Sequence, residues 1–249
     1  GHVNLKEAVA QSCDVYFYEL ALKLGIDNLH DFLAGFGLGA RTGIDVPSEK
    51  GGTLPSREWK RSRFSRREDQ VWYPGETLIT GIGQGYLQTT PLQLAHATAI
   101  VAARGQRFRP MLITGVRDTV TSEDVMFEPE ALPPVRLIDE NLWQEVIDTM
   151  VAVVHGPTGT ARRIGENAPY TIAGKTGTAQ VISIAQDAEY DEQELEERQK
   201  DHALFVAFAP AEAPRVAVAV IVENGGSGSG VAAPVARAVR DRDLLGSGQ

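Results

Sequence analysis

The chain has 249 residues, of which 43% are hydrophobic and 23% charged, so it is long enough to bury the core of one ordinary globular domain. Its formal net charge of −9 argues against a nucleic-acid partner, which would require a basic face. A single cysteine, Cys13, excludes an internal disulfide, and no apolar run approaches the roughly 18 residues that span a bilayer.

The first ninety residues contain short helical patterns followed by a long segment with little periodicity. Asn4 followed by Glu7 is typical of a helix start, a second helix is predicted over 15–24, and a shorter one follows Asp27. Residues 40–89 are predicted to be mostly loop. This loop contains a basic cluster that we expect either to be solvated or to face an anionic partner or membrane surface: Arg57, Lys60, Arg61, Arg63, Arg66 and Arg67.

The middle of the chain contains the clearest helical pattern. It covers 92–104, with Thr90 as its cap and Pro91 at the first helical position. A further helix is predicted over about 140–154.

The last third of the chain changes to the two-residue period of β-strands. Residues 170–182, 203–209 and 215–223 are predicted to be strands, and a final helix covers about 231–244, after the flexible segment GGSGSG. The acidic stretch 186–201 between the first two strands is predicted to be a solvated hairpin arm or short helix. Helices followed by a run of strands predict an α+β fold, with helices flanking an antiparallel sheet.

Two glycine-containing segments invite a nucleotide-binding interpretation, and neither has the required spacing. In AGKTGTAQ, a phosphate loop would need a glycine where the chain has Pro169, and the preceding residues APYTI are typical of a strand. The segment GIGQG at 81–85 lacks the third glycine of a dinucleotide-binding loop. We therefore interpret 81–85 as a tight loop that leads into the next helix.

The residues of AGKTGTAQ suit the edge strand of a sheet. Lys175 offers a compact positive charge, and Thr176 and Thr178 add hydroxyl donors suited to a carboxylate. Gly177 has no side chain and would let another extended chain approach. The Thr178 N–H could then stabilise a carbonyl oxygen that becomes negative during acyl transfer. The alternative, an ordinary strand with one exposed lysine, stays open on these residues alone.

Several segments together resemble one family. KTGT resembles the lysine-threonine-glycine element of penicillin-binding proteins and serine β-lactamases, and Ser12-Cys13-Asp14 resembles their Ser-x-Asn element, with Asp14 in place of asparagine. SCDVYFYELALKLGID, TGIDVP, LPSREWK, WYPGETLITGIGQGY, TTPLQLA, GPTGTA and KTGTAQV are similar to the penicillin-binding protein 2 family of class B transpeptidases. The resemblance implies that 1–249 is the C-terminal portion of a single transpeptidase domain, helical over about 1–155 and with a sheet and final helix over about 170–245.

One element of the family is missing from the chain. No serine is followed three positions later by a lysine, so the Ser-x-x-Lys element that supplies the acylated serine is absent. In the family this element precedes the Ser-x-Asn element. We therefore expect it upstream of Gly1, in a longer protein anchored in the bacterial inner membrane and facing the periplasm, and we expect the 249 residues alone to be inactive.

The resemblance implies a D,D-transpeptidase that acts on peptidoglycan stem peptides ending in D-Ala-D-Ala and is trapped by β-lactams. Ser12 would relay a proton to the leaving amine, Asp14 would accept a hydrogen bond from a lysine or a substrate N–H, and Lys175 would help to hold the terminal carboxylate. The substrate-binding residues would be those of the lysine strand: Thr176, Gly177 and Thr178. The implied partners are a polymerising glycosyltransferase and scaffold proteins of the elongation machinery.

Other interpretations of the same residues stay open. Ser12 and Asp14 could each serve as helix caps. The implied reaction requires no cofactor, and Cys13 is predicted to be a small, partly buried side chain; with His2 it would supply only two of the four ligands of a structural zinc site. The alternative functions are a penicillin-recognising sensor module and a serine β-lactamase, which needs a base for deacylation that we do not identify in the sequence.

Overall fold

A computed structural model of the chain describes residues 2–181 and 200–246. The described residues form nine α-helices: α1 (Leu5–Gln11), α2 (Asp14–Leu24), α3 (Ile26–Ala34), α4 (Arg57–Arg63), α5 (Pro74–Gly81), α6 (Pro91–Ala102), α7 (Asn141–His155), α8 (Arg162–Gly165) and α9 (Ala233–Leu245). They also form seven strands: β1 (Arg107–Phe108), β2 (Gly115–Arg117), β3 (Asp124–Met126), β4 (Ala131–Leu132), β5 (Ala173–Ala179), β6 (His202–Ala209) and β7 (Val216–Val222). The predicted acidic arm lies almost entirely outside the described residues.

The three strands predicted in the last third form one antiparallel sheet in the order β5-β6-β7. Among the described residues β5 therefore has a neighbour on one side only, as expected for an edge strand. Its residues Lys175 and Thr178 lie opposite Val206 and Ala203 of β6. The helices and the antiparallel sheet confirm the predicted α+β class.

The core surrounds the central strand β6, which is apolar on both faces because helices cover both. Phe205 is fully buried against the start of α9 and the end of α7. Phe208, on the opposite face, packs against Ile147 and Met150 of α7. Burying one such phenylalanine contributes about 2 to 3 kcal/mol, so the sheet is held firmly between the helices. None of the described helices has the length and apolar content needed to cross a membrane.

The prediction that 40–89 is mostly loop is confirmed, although two short helices that it did not include, α4 and α5, lie within the segment. The expectation that the whole basic cluster is solvated is wrong for Lys60, which is 3% exposed. Its ammonium pairs with the Glu76 carboxylate and donates to the Val71 carbonyl at 2.7 Å. Three aromatic ring centroids lie 5.3–5.8 Å from the same ammonium: Trp72, Tyr73 and Tyr86. The five arginines of the cluster are exposed, as predicted.

Candidate active site

A cleft of about 390 Å³ lies between the end of α1, the loop after α5 and strand β5. All six residues that were predicted to act in catalysis or substrate binding line it: Ser12, Asp14, Lys175, Thr176, Gly177 and Thr178. The fold thus brings together two segments of the chain that are far apart in sequence. Their chemical roles stay predictions.

The closest contact in the cleft joins the end of α1 to strand β5. Lys175 Nζ donates to Ser12 Oγ at 2.5 Å and to the Thr176 carbonyl at 2.9 Å. Ser12 ends α1 with φ 55° and ψ 54°, a left-handed conformation that costs a residue other than glycine about 1 kcal/mol or more. The turn at Ser12 is closed by the Cys13 N–H, which donates to the Ala8 carbonyl at 2.9 Å. The sharp end of α1 therefore presents the Ser12 hydroxyl to the lysine.

Burial determines the electrostatics of Lys175. It lowers the pKa of the ammonium from 10.5 to about 8, and the nearby Asp14 carboxylate opposes this shift by stabilising the charge. At neutral pH the lysine is thus still mainly protonated. It is a hydrogen-bond donor to Ser12 and a positive charge beside the edge of β5.

The GPTGTA segment after α7 connects α1 to β5, a role that sequence reasoning missed. The Thr160 N–H donates to the Ala10 carbonyl at 3.1 Å, and its hydroxyl shares a hydrogen bond of 2.9 Å with the hydroxyl of Thr176. This single residue therefore fixes the helix that carries Ser12 relative to the strand that carries Lys175. Its only signal in the sequence was the family resemblance of its segment.

Gln84 is a second cleft residue that sequence reasoning missed. Its side-chain Nε2 donates to the Thr178 carbonyl at 2.8 Å. The flanking Gly83 and Gly85 have φ 81° and 72°, which glycine adopts without strain. The segment is a tight loop, as predicted. The loop also places the side-chain amide of Gln84 against the edge of β5.

The backbone at Gly177 has a close neighbour that the sequence did not predict. The segment predicted to be flexible forms a π-helical turn, Gly228–Ala232, before α9. A Cβ on Gly228 would lie 2.5 Å from the Gly177 carbonyl oxygen and 2.6 Å from that of Leu204, so only glycine fits there. This turn therefore packs against the backbone at Gly177, and the approach of an added peptide chain there stays a prediction.

Asp14 and Cys13 begin α2. Cys13 occupies the cap position, is half-buried and makes no side-chain capping bond, while Asp14 is exposed in the first turn. The alternative that Asp14 caps the helix is therefore wrong, because the cap lies one residue earlier. In residues 2–181 and 200–246 no three histidine, cysteine, aspartate or glutamate side chains are placed to hold a metal ion. A zinc site at Cys13 stays an untested prediction.

Comparison with known proteins identifies close relatives. A model of the penicillin binding protein transpeptidase domain matches residues 1–241. The chain is 45% identical over 246 residues to the peptidoglycan D,D-transpeptidase MrdA of Acinetobacter baumannii, an alignment that covers 98% of the chain and 35% of that relative.

Two solved structures have the same fold. PBP2 of Pseudomonas aeruginosa in complex with WCK 5153 is 49% identical with a TM-score of 0.82, and the match covers 98% of this chain and 49% of that one. PBP2 of Helicobacter pylori in complex with MreC is 31% identical with a TM-score of 0.80, covering 99% and 41%. The chain spans about a third of the length of MrdA, and the predicted similarity to penicillin-binding protein 2 is confirmed. It belongs to the penicillin-binding protein transpeptidase family.

Proposed function

We propose that the chain is the C-terminal portion of a serine-type peptidoglycan D,D-transpeptidase. The enzyme cross-links stem peptides ending in D-Ala-D-Ala during cell elongation, and β-lactams acylate it. The observation that carries the proposal is the contact between Lys175 Nζ and Ser12 Oγ at 2.5 Å, in a cleft beside the open edge of β5. The nucleophilic serine belongs to a Ser-x-x-Lys element in the preceding part of the longer protein.

The reaction proceeds in two steps through an acyl-enzyme. The serine oxygen attacks the carbonyl carbon between the two D-alanines, the C–N bond breaks, and the terminal D-alanine leaves as an amine after gaining a proton. The amine of a second stem peptide then attacks the ester carbonyl carbon, the ester C–O bond breaks as the new amide bond forms, and a proton from that amine passes to the serine oxygen. Overall, one amide is exchanged for another and no cofactor is consumed.

The cleft residues serve this exchange through their donors. Because the Lys175 ammonium is a donor only, the Ser12 oxygen accepts from it, and the Ser12 proton remains available to the leaving nitrogen. The charge of Lys175 also attracts the terminal carboxylate of the peptide. The N–H of Thr178, on the edge strand, stabilises the oxyanion, and removing one such donor typically costs about a hundredfold in rate or more.

Location and partners follow from the same proposal. The substrate lies outside the inner membrane, so the longer protein would be anchored there and face the periplasm, close to a polymerising glycosyltransferase. A protein partner is supported by the Helicobacter pylori relative, which was solved as a complex with MreC.

A fluorescent penicillin tests the proposal. The longer protein with its Ser-x-x-Lys element is expected to form a covalent adduct and to yield cross-linked product, whereas the 249-residue chain is expected to form no adduct by mass spectrometry. An adduct on the short chain would place the nucleophile within it and contradict the proposal. Rapid hydrolysis of nitrocefin by the longer protein would instead indicate a β-lactamase, and acylation without any cross-linked product would indicate a sensor.

A further inference from the structure

The edge of β5 that has no neighbouring strand among residues 2–181 and 200–246 has two backbone carbonyls that are already paired with side chains. Lys175 Nζ donates to the Thr176 carbonyl at 2.9 Å, and Gln84 Nε2 donates to the Thr178 carbonyl at 2.8 Å. In an antiparallel strand, residues two apart direct their backbone groups to the same side, so these two carbonyls belong to one row. An added peptide strand would need acceptors in that row for its own N–H groups.

The loop that carries Gln84 is anchored, while its side chain has room to move. The Gln84 N–H donates to the Ile79 carbonyl at the end of α5 at 2.9 Å. Two positions later, the ring of Tyr86 packs 5.2 Å from that of Trp59. The Gln84 side chain itself lines the cleft of about 390 Å³. The amide can therefore leave the strand by rotation of its side chain, without movement of the loop.

We propose that Gln84 is a replaceable cap on the edge of β5. A ligand that carries an amide N–H, such as a stem peptide or a β-lactam with an acylamino side chain, donates to the Thr178 carbonyl in place of the glutamine. The exchange trades one neutral N–H···O bond for another at an exposed position, so its cost is small and falls only on ligands that use this carbonyl. The inference rests on the proposed function, because it assumes that such ligands bind along β5.

The test compares two β-lactams on the longer, nucleophile-containing protein. Benzylpenicillin has an amide N–H in its side chain, whereas imipenem has a hydroxyethyl group there. The variants Gln84→Leu and Gln84→Glu both remove the donor from the Thr178 carbonyl. Gln88→Leu is the matched control, because Gln88 is an exposed glutamine of the same segment that does not line the cleft. Thermal unfolding of each variant is measured first, and the two Gln84 variants guard against a fold defect in either.

In both Gln84 variants, the ratio of the benzylpenicillin to the imipenem acylation rate constant is expected to rise by about twofold to tenfold. The control should keep the wild-type ratio. An unchanged or lower ratio in the Gln84 variants would contradict the proposal that Gln84 competes with ligands for the Thr178 carbonyl, and it would leave the proposed function intact. A wild-type protein that neither ligand acylates would overturn the proposed function and the cap together.

Discussion

The Lys175 ammonium donates to the Ser12 hydroxyl at 2.5 Å, although 163 positions separate the two residues in the chain. The contact joins the end of a helix to the edge of a sheet, and neither element could hold the pair alone. Thr160 supports the contact by bonding to the Ala10 carbonyl on one side and to Thr176 on the other. The positions of the two groups are therefore a property of the tertiary fold.

In the longer protein, Lys175→Met should abolish labelling by a fluorescent penicillin without stabilising the fold at neutral pH. Lowering the lysine pKa from 10.5 to about 8 costs roughly 3 kcal/mol of stability at neutral pH. The variant removes this cost but also loses two hydrogen bonds from a charged donor, worth about 1.5 to 3 kcal/mol each. Because these losses equal or exceed the cost that is removed, we expect no net gain in the free energy of unfolding at pH 7, measured by urea denaturation.

The pH dependence of the stability difference between the variant and wild type follows from the direction of the pKa shift. The folded pKa lies below the unfolded one, so the cost of the buried ammonium is full below about pH 8 and disappears as the pH rises past 10.5. Relative to wild type, the stability of Lys175→Met should therefore fall as the pH rises from about 8 past 10.5, because only the wild type is relieved of this cost. Lys23→Met removes an exposed lysine of α2 and should change neither labelling nor stability. Retained labelling in the Lys175 variant would refute its assignment to the site.

Asp14→Asn should lower the pKa of Lys175 further. The Asp14 carboxylate is the group that favours the charged lysine and opposes the effect of burial. The measurement is the ¹³Cε shift of Lys175 against pH in protein with labelled lysines. Asp31→Asn, which removes an exposed carboxylate of α3 away from the cleft, is the control. A Lys175 pKa that stays the same or rises in the Asp14 variant would mean that the carboxylate does not act on the ammonium.

The sequence was sufficient for most of the structure that depends on near neighbours, although the short helices α4 and α5 were missed. The predicted cap at Asn4 is a capping box with Glu7, and Thr90 forms another with Gln93. Residues 170–182 and 203–209 were predicted to be strands. They contain β5 and all of β6 except its first residue, and the two strands pair in an antiparallel sheet. These features are local, so propensity and periodicity determine them.

Features that depend on distant partners were missed. Lys60 lies in a segment whose composition is typical of a solvated loop. Its ammonium nevertheless pairs with Glu76 and lies near three aromatic rings that come later in the chain. Gln84 meets its partner Thr178 94 positions later in the chain. Charge and polarity in a short segment cannot reveal such partners. The family resemblance placed Ser12 and Lys175 in one site, but it left the contacts of Lys60 and Gln84 unspecified.

Lys60→Met should destabilise the protein by about 3 kcal/mol or more in urea denaturation. The substitution leaves the Glu76 carboxylate, whose side chain is 17% exposed, without its cation. Adding Glu76→Gln should restore part of the loss, because the remaining charge disappears. Arg61→Met, on the same helix but exposed, is expected to change stability by less than about 0.5 kcal/mol. If Lys60→Met were as mild as Arg61→Met, the ion pair would contribute nothing to joining α4 and α5.

His155 should make the stability of the fold depend on pH between about 5 and 7. Its Nε2 accepts from the Ile172 N–H at 3.0 Å, just before β5, and only the neutral ring can do so. Burial lowers the His155 pKa below 6.5; Arg237 and Arg240 act in the same direction, and Glu212 opposes them. Because the unfolded chain gains the proton first as the pH falls, the contribution of the neutral His155 ring to stability is complete above pH 6.5 and is lost at lower pH.

His155→Gln, whose carbonyl can accept from the same N–H at any pH, should therefore lose less stability than wild type between pH 7 and 5 in urea denaturation. His2→Gln removes an exposed histidine and should follow wild type, whereas equal pH profiles for His155→Gln and wild type would show that the Ile172 bond does not depend on the neutral ring.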